Sequence, residues 1–163
     1  FIMDEGADTG DIVNQKKVKI SAHDNAYTLY EKMIKISKSQ IKEIINKLKK
    51  EKLNKLVQKE MSSNNWRKRR KIDGQIDWRM SARNIHNLVR ALHKPYPGAH
   101  FLYEDKEYKV WKTKVLESNK YKNFEPGKII IDKSRFPIVV CGEDAIKLVQ
   151  VEPKINLSKQ EYL

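Results

Sequence analysis

Apolar positions recur with two periods along this chain, and the change falls at Pro95-Tyr96-Pro97-Gly98-Ala99. Before that connector the spacing is helical. Tyr27, Tyr30, Ile34, Ile41, Ile44, Ile45 and Leu48 follow steps of three and four, which predicts one helix over about 24–50. Ser21-Ala22-His23-Asp24 has the form of a capping box with an acidic fourth residue, so the helix is expected to begin at Ser21. The stripe is expected to be core, with Tyr27 and Tyr30 as packing residues. Ser37 falls on it as a close contact or a bend. A second helix is expected after Ser81, a good N-cap. Ile85, Leu88, Val89 and Leu92 form its apolar face and Pro95 its stop. Ahead of the first helix, Ile12-Val13 and Val18-Lys19-Ile20 bracket a polar Asn14-Gln15-Lys16-Lys17 as a short strand or extended pair. Residues 51–65 lose the pattern, and Lys59–Asn65 is expected to be loop.

Beyond the connector the period is strand-like. His100–Tyr103 and Glu107–Val115 flank Glu104-Asp105-Lys106 as a hairpin. Lys128–Asp132, Pro137–Cys141 and Ala145–Val151 are further strands, with turns at Pro126-Gly127 and Gly142-Glu143-Asp144. Five short strands in about fifty residues predict a small antiparallel barrel or open sheet. Pro153–Leu163 is expected as a packed tail.

Charge sharpens the picture. The chain has 163 residues and a net charge of +13. Residues 1–33 carry four Lys/Arg and six Asp/Glu (−2), and residues 34–72 carry fourteen and three (+11). The basic field is therefore local. It suits an anionic partner (nucleotide diphosphate, RNA or a membrane surface), or simply a solvated lysine-rich helix. One cysteine, Cys141, lies inside an apolar run and reads as a small buried residue. With a single cysteine the chain has no internal disulfide, which suits a reducing cytosol, and no apolar run reaches membrane-spanning length.

Two stretches carry candidate chemistry. Phe1-Ile2-Met3 resembles the end of a buried strand and leads into Asp4-Glu5-Gly6-Ala7-Asp8-Thr9-Gly10-Asp11, an acidic loop. Gly6 and Gly10 flank Asp8 and leave room for backbone to approach a ligand, although such loops are ordinarily turns. Because the chain opens on a strand end, it is expected to be the C-terminal portion of a larger protein. The other stretch is Trp66-Arg67-Lys68-Arg69-Arg70-Lys71, an aromatic followed by five cations. It leads into Ile72-Asp73-Gly74-Gln75-Ile76-Asp77-Trp78. Guanidinium groups grip phosphate and tryptophan stacks on a base, so a ligand-facing role stands beside a solvated one. His86 and His93 lie on nearly one face of the second helix, but no further ligand completes a zinc-like set, so no metal is expected. His23 is expected at the surface.

Three segments in order resemble one family: MDEGADTGDI, then KIDGQIDWRMSARNIHNLVRALHKPYPGA, then YKVWKTKV with EPGKIIIDKSRFPIVVCGEDAIKLVQVEP. They are similar to the back half of the folate-dependent formyltransferases, both methionyl-tRNA formyltransferase and the sugar-nucleotide N-formyltransferases. The resemblance implies an α/β protein: the end of a Rossmann-like formyltransferase domain over 1–58, a basic linker over 59–78, then a linker helix and a small OB-like β-barrel over 79–163. It implies N10-formyltetrahydrofolate as co-substrate, Asp8 as the catalytic aspartate, and a pterin-binding loop at Asp4, Glu5, Gly6, Ala7 and Asp8. In such enzymes the aspartate works with an Asn-x-His motif. Asn84-Ile85-His86 has those letters but lies in the wrong order relative to Asp8 and is not assigned. The chain by itself is therefore expected to be inactive.

The acceptor expected from the resemblance is a nucleotide-linked amino sugar, as in bacterial lipopolysaccharide or O-antigen biosynthesis. The Trp/Arg run stands where the tRNA enzymes usually have Tyr-Ala-x-Lys-Ile, so Trp66, Arg67, Arg69 and Arg70 are the expected diphosphate contacts. Methionyl-tRNA is the alternative acceptor. A reading from another class is a non-catalytic basic RNA-binding module. Against it, strand alternation puts Tyr108 and Trp111 on opposite faces, which makes no stacking platform. A cytoplasmic location is expected and a homodimer is left open.

Overall fold

The computed structural model describes residues 1–59, 64, 66–131, 136–155 and 162–163. The chain divides into two compact units, Phe1–His23 with Thr28–Lys68 and Asp24–Tyr27 with Arg69–Leu163.

The first unit is built on helix α1, Ala26–Lys49, whose first two residues, like Asp24 before them, belong to the second unit. The expected extent holds to within two residues, but the start does not. Ser21–Asp24 lies outside the helix, with a turn at Ala22-His23. Asp24 is buried and its carbonyl accepts from Arg90 Nη1 at 2.9 Å, so a long-range bond engages the backbone where the local cap was expected. The helix ends by reversing the backbone: Glu51 takes a φ of 54°, and the Glu51 and Lys52 N–H groups donate to Leu48 and Lys47 carbonyls. The apolar stripe expected as core is not core. No α1 residue is buried, and Tyr27, Tyr30, Ile41, Ile45 and Leu48 are 45–55 % exposed. Amphipathic spacing marks a face for burial but does not supply the surface that buries it.

The segment before α1 is extended rather than a ladder. Asn14 and Lys16 reach Glu43 on α1, and Gln40 Nε2 donates to Asn14 Oδ1 at 2.9 Å. The Lys16 ammonium, and next the Asn14 amide, hold the Glu43 carboxyl below its ordinary value. Ile12 and Leu56 form an isolated antiparallel bridge with two backbone bonds of 2.9 Å. The unit's described residues contain no sheet. The loop expected at Lys59–Asn65 falls mostly outside the described residues.

The second unit is an antiparallel sheet with one helix. Helix α2 runs Ala82–Ala91, and Ser81 Oγ accepts from Asn84 N–H, as the N-cap reading predicted. The strands are β1 Ala99–Tyr103, β2 Lys106–Leu116, β3 Ile129–Ile131, β4 Pro137–Val140 and β5 Ala145–Glu152. The β1–β2 hairpin turns on Glu104 and Asp105, both at positive φ, matching the right-handed twist of its strands. The sheet order is β1-β2-β5-β4-β3.

The strand pattern left a barrel or an open sheet and the resemblance implied a barrel; among the described residues the sheet is open. Among the described residues no ladder joins β1 to β3. Short flanking pieces cover the edges instead: Ile76 N–H donates to His100 O at 2.7 Å, and Tyr162 bridges Lys128. Edges masked in this way need no closure. A register shift between Val110 and Thr113 bends β2 against β5.

The core sits between α2 and the sheet. Trp78, Ile85, Val89, Phe101, Tyr108, Val110, Ile146 and Leu148 belong to one buried cluster. Tyr121, Ile138, Val140 and Ala145 form a second. Residues of β4 alternate between the two clusters, so the whole strand is buried. Cys141 is in the larger cluster; burial, then the charge of Asp144, pushes its thiol up to about 12, so it stays protonated. Leu163, from the expected tail, packs on the same cluster, while residues 156–161 lie outside the described set.

Candidate functional site

The acidic loop in the first unit is closed, not trailing. Ile2 N–H donates to Asp11 O at 2.9 Å. Gly10 is buried at the crossing, where a Cβ would fall 1.7 Å from Ile2 O, so only glycine fits. Inside the loop Asp4 turns inward: its Oδ1 accepts from Gly6 N–H at 3.1 Å and from Thr9 Oγ1 at 2.6 Å. Asp4 thus shapes the loop, and Glu5, Gly6, Ala7 and Asp8 form its exposed outer surface. Asp8 stands in the left-handed region at φ 61°, a conformation that a non-glycine residue holds at a cost. Asp8 is exposed among the described residues.

Another anchor of the loop comes from far along the chain. Gln58 Nε2 donates to Asp8 O at 2.9 Å and to Gly10 O at 2.7 Å. Gln58 lies in the stretch where the hydrophobic pattern lapses, so nothing local marks it. The Ile12–Leu56 bridge, two residues away on each side, brings it to the loop.

The basic run divides between the units, with Trp66, Arg67 and Lys68 in the first and Arg69, Arg70 and Lys71 in the second. All six are exposed, Trp66 at 77 %. Trp66 Nε1 donates to Asn64 Oδ1 at 2.8 Å, and Lys71 pairs with Glu107. At Arg70 the backbone N–H donates to Asp73 Oδ2 at 2.7 Å, which starts a 3₁₀ turn at Lys71–Gly74. The Ile-Asp-Trp stretch that follows lines an open cleft of about 660 Å³. There the Arg79 guanidinium grips Asp77 and holds its carboxyl down to about 2. Trp78 is buried against Phe101, so its role is packing.

His86, on α2, and His93, just beyond its end, both make packing contacts. His86 Nδ1 lies 2.8 Å from Thr113 Oγ1, and His93 packs edge-on against Trp111. Tyr108 instead stacks on Phe101 in the main core, away from Trp111. Among the described residues no cluster of His, Cys, Asp and Glu is gathered that can hold a metal ion. None of the helices is long and apolar enough to cross a membrane among those residues.

His86 carries a pH signature. Burial, then the charges of Arg90 and Arg83, push its imidazole below the ordinary histidine value near 6.5. Between that value and the lower folded one the unfolded chain binds more protons, so stability falls as pH falls. His86→Asn is expected to flatten the fall of melting temperature as pH drops below about 7. An unchanged slope in the variant would assign the dependence to other groups.

Residues 68–163 match the model of the formyl transferase C-terminal domain. The chain belongs to the formyl transferase family. It is 35% identical over 165 residues to the methionyl-tRNA formyltransferase of Caldanaerobacter subterraneus subsp. tengcongensis, covering 100% of this chain and 52% of the relative. It is 36% identical over 157 residues to that of Halothermothrix orenii, covering 92% and 48%. The chain thus spans about half the length of the curated relatives it matches. In fold it is similar to a variant of HypX from Aquifex aeolicus, with a TM-score of 0.69 at 17% identity over 93% of this chain and 27% of that one. It is also similar in fold to WlaRD, a sugar 3N-formyl transferase solved with dTDP and 5-N-formyl-THF. There the TM-score is 0.65 at 22% identity over 94% and 53%.

Proposed function

We propose that this chain is part of an enzyme that transfers a formyl group from N10-formyltetrahydrofolate to a primary amine, with methionyl-tRNA as the acceptor. The observation that carries the acceptor is the 35% identity, along the whole chain, to a methionyl-tRNA formyltransferase. It reverses the preference for a sugar that the Trp/Arg run suggested. In this reading residues 1–58 are the end of a Rossmann-like catalytic domain, 59–78 a basic linker and 79–163 the C-terminal domain. The two-unit division and the family match from residue 68 support that layout. In this reading the enzyme works in the cytoplasm, where folate and charged tRNA meet.

The amine attacks the formyl carbon, a tetrahedral oxyanion forms, and its collapse expels N10 of tetrahydrofolate as the amine's proton is passed on. Asp8 is the residue of this chain assigned to that proton relay, through the histidine of an Asn-x-His motif. The loop Asp4-Glu5-Gly6-Ala7-Asp8 offers backbone groups to the pterin. The +11 stretch at 34–72 contacts tRNA phosphates, which makes binding salt-dependent.

A second reading keeps a nucleotide-linked amino sugar as the acceptor. The observation that favours it is the sequence run Trp66-Arg67-Lys68-Arg69-Arg70, whose residue types suit a base and a diphosphate and which is exposed in each unit. The full-length gene product, given N10-formyltetrahydrofolate with methionyl-tRNA or with a panel of dTDP- and UDP-linked amino sugars, decides between them. Turnover of the tRNA is the expected result. Turnover of one sugar nucleotide alone, with a KM raised by Arg69→Ala, would establish the second reading. Salt-dependent RNA binding with neither turnover would leave a binding module.

A further inference from the structure

We propose that Gln58 is a positioning residue for Asp8. The proposal rests on the reading of Asp8 as the catalytic aspartate. One amide nitrogen spans the two carbonyls that flank Thr9, donating to Asp8 O at 2.9 Å and to Gly10 O at 2.7 Å. Both partners are acceptors, so the nitrogen end of the amide must face them. The bond to Asp8 closes across 50 residues of sequence, so the loop and the segment after α1 are held together. The Ile12–Leu56 bridge fixes the distance at which this occurs.

The loop needs such a hold. Asp8 sits at φ 61°, where a residue with a Cβ stays only if its surroundings over-determine it. Asp4 fixes the near side of the loop through Gly6 and Thr9. Gln58 fixes the peptide carbonyls on either side of Thr9, and with them the direction in which the Asp8 carboxylate leaves the backbone. Without the clamp the loop relaxes toward ordinary φ, and the carboxylate and the pterin-facing backbone move together. Misplacing a catalytic group by about 1 Å costs on the order of a hundredfold in rate.

The test uses the full-length gene product with its formyl donor and turned-over acceptor, in Gln58→Ala and Gln58→Glu. Glutamate keeps the size but presents oxygen to two carbonyls, so it should be no better than alanine. The expected result is a kcat lowered roughly tenfold to a hundredfold, weaker binding of 5-formyltetrahydrofolate, and an unmoved melting temperature. Added to Asp8→Asn, Gln58→Ala should lower kcat no further, although folate binding still weakens. Wild-type kcat in Gln58→Ala, with Asp8→Asn inactive, would overturn the positioning role alone. A loss that tracks a fallen melting temperature and adds fully to Asp8→Asn would make Gln58 a general structural tether. Wild-type turnover in Asp8→Asn would instead remove the catalytic reading of Asp8 on which the proposal stands.

Discussion

Asp8→Asn in the full-length gene product is expected to slow formyl transfer by roughly 10²–10⁴-fold, the usual worth of a positioned proton-transfer group. The melting temperature should not move. Asp8 is exposed and its side chain supports no core. Asparagine matches aspartate in shape and also tolerates the left-handed conformation that Asp8 adopts at φ 61°. The loop backbone, with its Gln58 bonds to the carbonyls of residues 8 and 10, is therefore retained while the carboxylate charge is lost. Alanine is the poorer probe, because it would change charge and backbone preference together. Single-turnover rates with saturating N10-formyltetrahydrofolate measure the effect. A variant within a few fold of wild type would show that the proton leaves by another route.

Phe101→Ala is expected to destabilise the C-terminal unit by about 3–5 kcal/mol. Phe101 is 2% exposed. Its ring stacks on Tyr108 with centroids 5.5 Å apart and meets Trp78 edge-on at 5.5 Å. Alanine removes the ring from the middle of that trio and leaves a cavity that β1, hydrogen-bonded to β2 on one side and to Ile76 on the other, cannot collapse to fill. A loss of this size is a large part of a small domain's total stability. Phe101→Leu, expected to lose less, keeps the measurement possible if the alanine variant does not fold. Urea unfolding reads both. A change below about 1 kcal/mol in the alanine variant would mean that the trio is not the keystone of this core.

Much of the C-terminal unit was legible because its signals are local. Ser81 caps α2 through its own hydroxyl three residues from the donor it satisfies. The β1–β2 turn needs only Glu104 and Asp105 at positive φ. Strands β3, β4 and β5 fall where short apolar runs lie between turns. Whether the sheet closes was not legible. Closure depends on which edges meet, and here Ile76 and Tyr162 occupy edge positions that a barrel would have paired. The Ser21 box does not start the helix: α1 begins at Ala26, and the buried Asp24 meets Arg90 through its backbone carbonyl, a contact no local pattern marks.

The candidate site divides in the same way. Its residue types, spacing and family membership are properties of the chain as written, because Asp4, Gly6, Asp8 and Gly10 are neighbours and glycine's freedom at a crossing needs no partner to be recognised. The length of α1 and its apolar stripe are equally a matter of periodicity. What only the tertiary structure decided is what each feature meets. The stripe of α1 is left half exposed, and Gln58 closes on Asp8 from 50 residues away. Local preference is set by a residue and its near neighbours, whereas a contact across that distance exists only once folding has met the entropic cost of bringing the two ends together.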